Sequence, residues 1–139
     1  MELILKVDPS FEPSLTIRVR LPDSAEEIGK LYAEGGNHSF TDVDVPRITR
    51  VLEAGEIARI RRLVEQAKVL LAPPPAAGLD GTTVTLEIDQ GMNAATYTWW
   101  NEAPEGWEPV RELAQELTTL AGMKEQFGWG TSDGVLADR

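Results

Sequence analysis

Hydrophobic and polar residues alternate in the second half of the chain, and this alternation predicts a β-hairpin. Two runs, residues 82–88 and 94–100, place apolar side chains on one face and mainly polar side chains on the other. A glycine-containing cluster at residues 89–93 separates them and is typical of a turn. Because neighbouring strand residues point to opposite faces, Trp99 and Trp100 do not both enter one core. One of these two tryptophans therefore lies outside the core, and another part of the chain is needed to shield it from solvent.

The first half of the chain contains further strand-like patterns. Residues 3–7 form a short apolar run, and residues 15–21 alternate strictly between apolar and polar side chains. We expect these two strands to pair as a hairpin. Residues 40–52 also have an extended pattern, with a break at Pro46, which has no N–H to donate to a ladder. A helix that begins at Pro46 is the alternative interpretation.

Helical spacing of apolar residues occurs in three segments. Residues 24–34 begin with serine and glutamate at the spacing of a capping box and predict a short helix. A strand over residues 28–33 is the competing interpretation. The longest apolar stripe predicts a helix over residues 54–70, and a second main helix is predicted over residues 107–121. Pro109 is tolerated only in a first helical turn, so it marks the start of the last helix.

The order of these elements favours an α+β domain, because strands and helices do not alternate regularly as a parallel doubly wound sheet requires. We predict an antiparallel sheet of about four to five strands with the two main helices packed on one face. With 139 residues, the chain is predicted to form a single domain, residues 1–139, that buries its own core. We expect residues 123–139 to form an irregular C-terminal tail.

Composition excludes several kinds of catalytic site. The chain has no cysteine, which excludes disulfides, thiolate nucleophiles and cysteine-ligated metals. His38 is the single histidine, so histidine-rich metal centres are excluded as well, and we interpret it as a solvated loop residue. Asp80 precedes a glycine and is typical of a turn. No residue is predicted to be catalytic or to bind a metal or cofactor, and enzymatic activity is not favoured.

Charge limits the partners of the chain. The formal net charge is −10, and such a field repels nucleic-acid backbones and anionic lipids. The first residues do not resemble a secretory signal, and no apolar run approaches the length of a membrane span. We therefore expect a cytoplasmic protein that binds neither nucleic acid nor membrane. Residues 47–68 differ from the rest, because their basic side chains outnumber the acidic ones.

Aromatic residues provide the first candidate interaction residues. The chain has four tryptophans, and we expect Trp99 and Trp107 to pack between the hairpin and the last helix. Trp100, with Tyr32 or Trp129, then remains as an exposed aromatic spot. Such spots are frequent anchors of protein interfaces.

The predicted helix over residues 54–70 lies largely within the basic region and provides two further candidate interaction residues, Arg59 and Arg62. Two roles are open for them. They bind an acidic partner, or they neutralise acidic parts of the chain itself, either its C-terminal tail or Glu112 and Glu116 in the last helix. A solvated helix face without a specific role is the default interpretation of such a charge pattern.

One motif runs through the hairpin and the last helix. It consists of Leu-Asp-Gly-Thr-Thr at 79–83, then Tyr97, Trp99-Trp100, Pro104, Trp107 and the leucines that follow. Within residues 52–121, this pattern resembles a family of small bacterial proteins whose function is uncharacterised. The resemblance implies a core of strand, helix, hairpin and helix, and it implies no activity.

From these observations we predict a non-enzymatic protein that binds another protein. One concrete version is an inhibitor of the immunity type, whose acidic surface blocks a basic effector such as a nuclease. The alternative is a small-ligand-binding module or enzyme with a pocket between sheet and helices. Self-association through Trp100 is compatible with both.

Overall fold

A computed structural model describes residues 1–10, 14–24, 27–35, 47–76, 78 and 80–123 of the chain. These residues form an α+β structure with six strands and two helices. In chain order, the elements are β1 (Glu2–Pro9), β2 (Leu15–Arg20), β3 (Lys30–Gly35), β4 (Arg47–Val51), α1 (Ala54–Glu65), β5 (Thr82–Gln90), β6 (Asn93–Trp100) and α2 (Glu108–Leu120).

All six strands belong to one antiparallel sheet with the order β4-β3-β2-β1-β5-β6. The predicted pairing of the first two strands is confirmed, with Leu5 opposite Ile17. On its other side, β1 pairs with β5, where Leu5 lies opposite Leu86. The sheet therefore has β4 and β6 as its two edges, and the predicted count of four to five strands is too low.

The missing strand is β3, and the predicted helix over residues 24–34 is wrong. Leu31 and Ala33 are buried whereas Tyr32 is exposed, which is the period of a strand. Ladders to β2 and β4 satisfy the backbone groups of β3 on both sides. The competing strand interpretation is correct because these long-range ladders outweigh the helical spacing of the apolar residues.

Extended structure after Pro46 is confirmed by β4, and the alternative helix starting there is wrong. Residues 36–46, which include His38, lie outside the described residues.

In α1, Glu53 and Glu56 form a capping box at the first turn.

The end of α1 comes earlier than predicted, at Glu65 rather than residue 70. The backbone N–H of Leu70 donates to the Gly106 carbonyl at 3.1 Å. The Leu70 carbonyl accepts from the Trp107 indole Nε1–H at 2.7 Å. These tertiary hydrogen bonds take the place of further helical ones.

The predicted hairpin is confirmed by β5 and β6, which are joined by Gly91 and Met92. Gly91 has a φ of +75° and Met92 does not have a positive φ, which is the pattern of a type II′ turn. The glycine is required there because its φ is unfavourable for other residues.

Burial alternates along the strands and gives the sheet a buried face and an exposed face. Side chains on the buried face, such as Leu5 and Leu86, belong to a cluster that also contains Ile60 of α1 and Leu117 of α2. Met123 is buried too, while the rest of the predicted irregular tail lies outside the described residues. Neither described helix is long and apolar enough to cross a membrane.

Candidate interaction surface

The exposed face of the sheet carries a patch that combines aromatic and cationic side chains. Tyr32 on β3 lies opposite Arg18 on β2, and Lys30 lies opposite Arg20. These side chains line a surface depression of about 770 Å³. We call it the β2–β3 patch, and its residues are Thr16, Arg18, Arg20, Glu27, Ile28, Lys30, Tyr32 and Glu34.

Apolar side chains lie at one border of the β2–β3 patch. Ile28 precedes β3 and is 58% exposed, and Tyr32 is 42% exposed. Val51, at the end of β4, lies opposite Lys30 and is 60% exposed. Ile28 and Val51 also line a common depression next to the patch. Tyrosine, arginine and apolar residues side by side are the composition of many protein interfaces.

The cations of the patch are only weakly paired. Glu2 on β1 lies 3.4 Å from Nη2 of Arg20 and 3.7 Å from Nη1 of Arg18. Both arginine side chains remain more than half exposed, so water screens these pairs. Lys30 makes no ion pair with any residue that the structure describes. These three cations are therefore accessible to carboxylates of another molecule.

Trp100 belongs to the exposed face but lies at its opposite side, on β6. It is half-buried, because Gly78 and Gly81 lie directly against its indole ring. A Cβ atom at Gly78 would overlap the ring. Three strands separate Trp100 from Tyr32, which corresponds to roughly 19 Å at the usual strand spacing. The two aromatic candidates do not form one site.

The two arginine candidates lie on α1 and not on a strand of the sheet. Arg59 Nε lies 2.9 Å from Oε2 of Glu116, so it joins α1 to α2. This contact matches the alternative in which the basic helix neutralises the last helix. Arg62 is exposed. Trp129 lies outside the described residues.

One cation that sequence reasoning passed over, Arg50 on β4, links three elements. Its guanidinium binds the Glu56 carboxylate at 2.6 and 2.8 Å, and it donates to the Leu120 carbonyl at 2.8 Å. A cation at the C-terminal end of α2 is favoured by the helix dipole. Leu120 is 70 positions away along the chain, and no local pattern indicates such a contact.

An apolar cavity of about 280 Å³ is the second candidate site, and residues of α1, the hairpin and α2 line it. Tyr97, in its lining, meets Trp107 edge to face with ring centroids 5.4 Å apart. The volume of this cavity lies near the lower limit of the volumes that are typical of small-molecule binding sites. The full lining is Leu63, Val64, Ala67, Val69, Leu86, Ile88, Gln90, Asn93, Ala94, Ala95, Tyr97, Pro109, Val110 and Leu113.

Two observations describe the acidic side chains of the structure. Across the described ranges, no three acidic or histidine side chains converge as metal ligands. The pKa of Glu108 lies below its ordinary value, because backbone N–H groups of Glu108 itself and of Gly106 donate to its carboxylate. This carboxylate is exposed in the first turn of α2. Asp80 is exposed in the turn before β5.

No protein-family model matches the chain, and no curated protein matches it.

Proposed function

We propose that the chain is a non-enzymatic protein-binding protein that contacts its partner through the exposed face of the sheet. The observation that carries this proposal is the β2–β3 patch, where Tyr32 lies beside three accessible cations in a concave surface. Buried tyrosine and arginine side chains contribute a large share of the binding energy in protein interfaces.

The position of the helices supports this choice of face. Ile60 of α1 and Leu113 and Leu117 of α2 belong to the same buried cluster as the strand residues. We infer from this that both helices pack on the buried face. Among the described residues, no helix then covers the opposite face, and its β2–β3 side is available to a partner.

The chemistry of the β2–β3 patch defines the kind of partner. Carboxylates on the partner would pair with the three cations of the patch, Arg18, Arg20 and Lys30. An apolar side chain on the partner would contact Tyr32 and Ile28. The partner is therefore a protein with an acidic surface that also presents an apolar residue. Charge complementarity of this kind raises association rates and excludes other partners.

A competing proposal is an inhibitor of the immunity type, which would use a different surface and bind a partner of opposite charge. Four exposed glutamates surround the start of α2, at positions 102, 105, 108 and 112, in a chain with a net charge of −10. These glutamates would contact a basic effector. The two proposals predict different sensitive surfaces, so one experiment separates them.

The test is affinity capture from lysate with the intact chain and two double variants. Arg18→Glu with Tyr32→Ala changes the patch, and Glu105→Lys with Glu112→Lys changes the acidic surface. We expect the first variant to lose the captured protein and the second to retain it. The reverse result supports the inhibitor proposal. If neither variant loses the protein, or if nothing is captured at low salt, both proposals are wrong.

A second candidate function, binding of a small apolar ligand, is favoured by the cavity between the hairpin and the helices. A ligand that occupies it raises Tm through mass action. We expect Ala95→Leu, which fills part of the cavity, to abolish a ligand-dependent rise in Tm across a metabolite panel. A panel without any rise contradicts this candidate.

Three further predictions from the sequence stay proposals. The chain shares its core with the bacterial family that its motif resembles, it forms one domain, and it acts in the cytoplasm. None of them assigns an activity.

A further inference from the structure

The two edges of the sheet differ in their protection against another strand. An edge strand offers unpaired N–H and C=O groups, and proteins commonly protect it with charges, proline or a short length. β6 is eight residues long, and its sequence NAATYTWW contains neither a charge nor a proline. It has high β-propensity because threonine, tyrosine and tryptophan make up most of its second half.

The opposite edge, β4, has the protection that β6 lacks. It is five residues long, and two of these residues are arginines. Arg47 lies 3.2 Å from Glu34 on the neighbouring strand, and Arg50 is held by Glu56 and the Leu120 carbonyl. A short length and charged side chains are both features of a protected edge. Pairing at this edge is therefore disfavoured.

The hairpin turn determines which backbone groups of β6 point outward. Gln90 and Asn93 flank a two-residue turn and so form a hydrogen-bonded pair, after which inward and outward residues alternate. The N–H of Asn101 donates to the Thr82 carbonyl at 2.7 Å, which continues the inward series. The outward residues are Ala94, Thr96, Thr98 and Trp100. No backbone hydrogen bond from the described part of the chain reaches their outward groups.

We propose that β6 pairs antiparallel with β6 of a second copy of this chain. The sheet then continues across both copies, related by a twofold axis. In the register that uses all four outward residues, Tyr97 lies opposite Tyr97 of the second copy. Thr96 then lies opposite Thr98, Ala94 opposite Trp100, and Ala95 opposite Trp99.

This register is complementary to itself, which is the argument for a second copy as the occupant. Each tryptophan lies opposite an alanine, so large side chains meet small ones. Thr96 opposite Thr98 is a favourable cross-strand pair. The acidic chain also meets its copy here without charged residues in direct opposition, because none occur in β6. The edge formed by β6 is distinct from the β2–β3 patch. Dimerisation through β6 goes beyond the proposed function and is tested independently of partner binding at the patch.

Analytical ultracentrifugation of the intact chain over a range of concentrations gives the first test. We expect a reversible monomer–dimer equilibrium. Thr96→Pro removes an outward N–H while the inward ladder to β5 stays intact, and proline is tolerated at such edge positions. We expect this variant to be monomeric, with unchanged tryptophan fluorescence. A wild-type chain that is monomeric at every concentration overturns the proposal.

A charge exchange then tests the register. Thr96→Lys with Thr98→Lys places lysines opposite each other in the dimer, and Thr96→Glu with Thr98→Glu does the same with carboxylates. Each variant alone is expected to dimerise roughly tenfold more weakly or worse. An equimolar mixture of the two is expected to dimerise again. Thr49→Lys on β4 is the matched control and leaves the wild-type dimer intact.

Two results of the charge exchange overturn the proposal. One is a dimer that persists in the lysine variant, since the copies then associate through another surface. The other is a mixture that stays monomeric although both variants are folded.

Discussion

The two faces of the hairpin differ in what surrounds their side chains, although they share the same backbone. On the buried face, Leu86 lies opposite Tyr97 and is fully buried. On the exposed face, one position away, the hydroxyls of Thr85 and Thr98 lie 3.3 Å apart at the surface. The buried face of the hairpin is therefore expected to contribute more to the free energy of unfolding than the exposed face.

The adjacent tryptophans show the same difference within one dipeptide. Trp99 is 6% exposed and belongs to the core. Trp100 points to the other face and is covered by Gly78 and Gly81. On the exposed face, Trp100 is shielded from solvent because glycines pack against its ring. Tyr32 has no such neighbours among the described glycines and stays accessible.

The largest expected effect on the free energy of unfolding distinguishes the buried face of β5 from its exposed face. Leu86→Ala removes a fully buried side chain and should lower the free energy of unfolding by about 2–5 kcal/mol. Thr85→Ala, on the other face, should change it by at most about 1 kcal/mol. Urea denaturation of both variants measures the difference. Equal effects would mean that the faces are not distinguished by burial.

A smaller effect is expected where the exposed face is covered. Gly78→Ala forces a methyl group against the Trp100 ring and should cost about 1–3 kcal/mol. Gly55→Ala in α1 is the control, because a Cβ there meets nothing within 4 Å. It should stabilise the chain by up to about 1 kcal/mol. If both substitutions stabilise, Gly78 does not lie against Trp100.

A still smaller effect on stability is expected at the β2–β3 patch. Tyr32→Ala should change the free energy of unfolding by no more than about 0.5 kcal/mol, because the side chain is accessible. Its effect should instead appear in capture of the partner protein. A large loss of stability in this variant would assign Tyr32 to the packing of the sheet rather than to recognition.

The smallest effect concerns pH. Hydrogen bonds lower the pKa of Glu108 in the folded chain, so its stabilising contribution is present above the unfolded-state pKa. The contribution is lost as the pH falls through the folded-state value. Urea midpoints between about pH 7 and about pH 3 should fall slightly less in Glu108→Gln than in the wild type. Glu105→Gln, in the same turn region, is the control, and an identical response of both variants contradicts the prediction.

Sequence patterns predicted those elements whose periodicity is local. The alternation in β2 and the hairpin, and the short apolar run of β1, were sufficient because one face of each strand is buried. At β3 the pattern was misleading. Ile28, Leu31 and Tyr32 have helical spacing, yet Leu31 and Tyr32 point to opposite faces of the sheet. Pairing with β2 and β4 decided the conformation there.

The candidate site was predictable only in part. Tyr32 could be named from the sequence, but Arg18 and Arg20 come beside it through the β2–β3 ladder. The same holds for Arg59, whose partner Glu116 lies on the other helix. Side chains that meet across elements leave no periodic signal along the chain.

Residue alternation thus accounts for the antiparallel hairpins and for the placement of Trp99 and Trp100 on opposite faces, and helical spacing together with the order of the elements accounts for the α+β class. The order of the strands, with β1 and β2 at the centre and β6 at an edge, comes from long-range pairing. So does the cover of Trp100 by Gly78. The physical reason is that side-chain period specifies which face of a strand is apolar, whereas its neighbours are chosen by packing and backbone hydrogen bonds across the whole sheet.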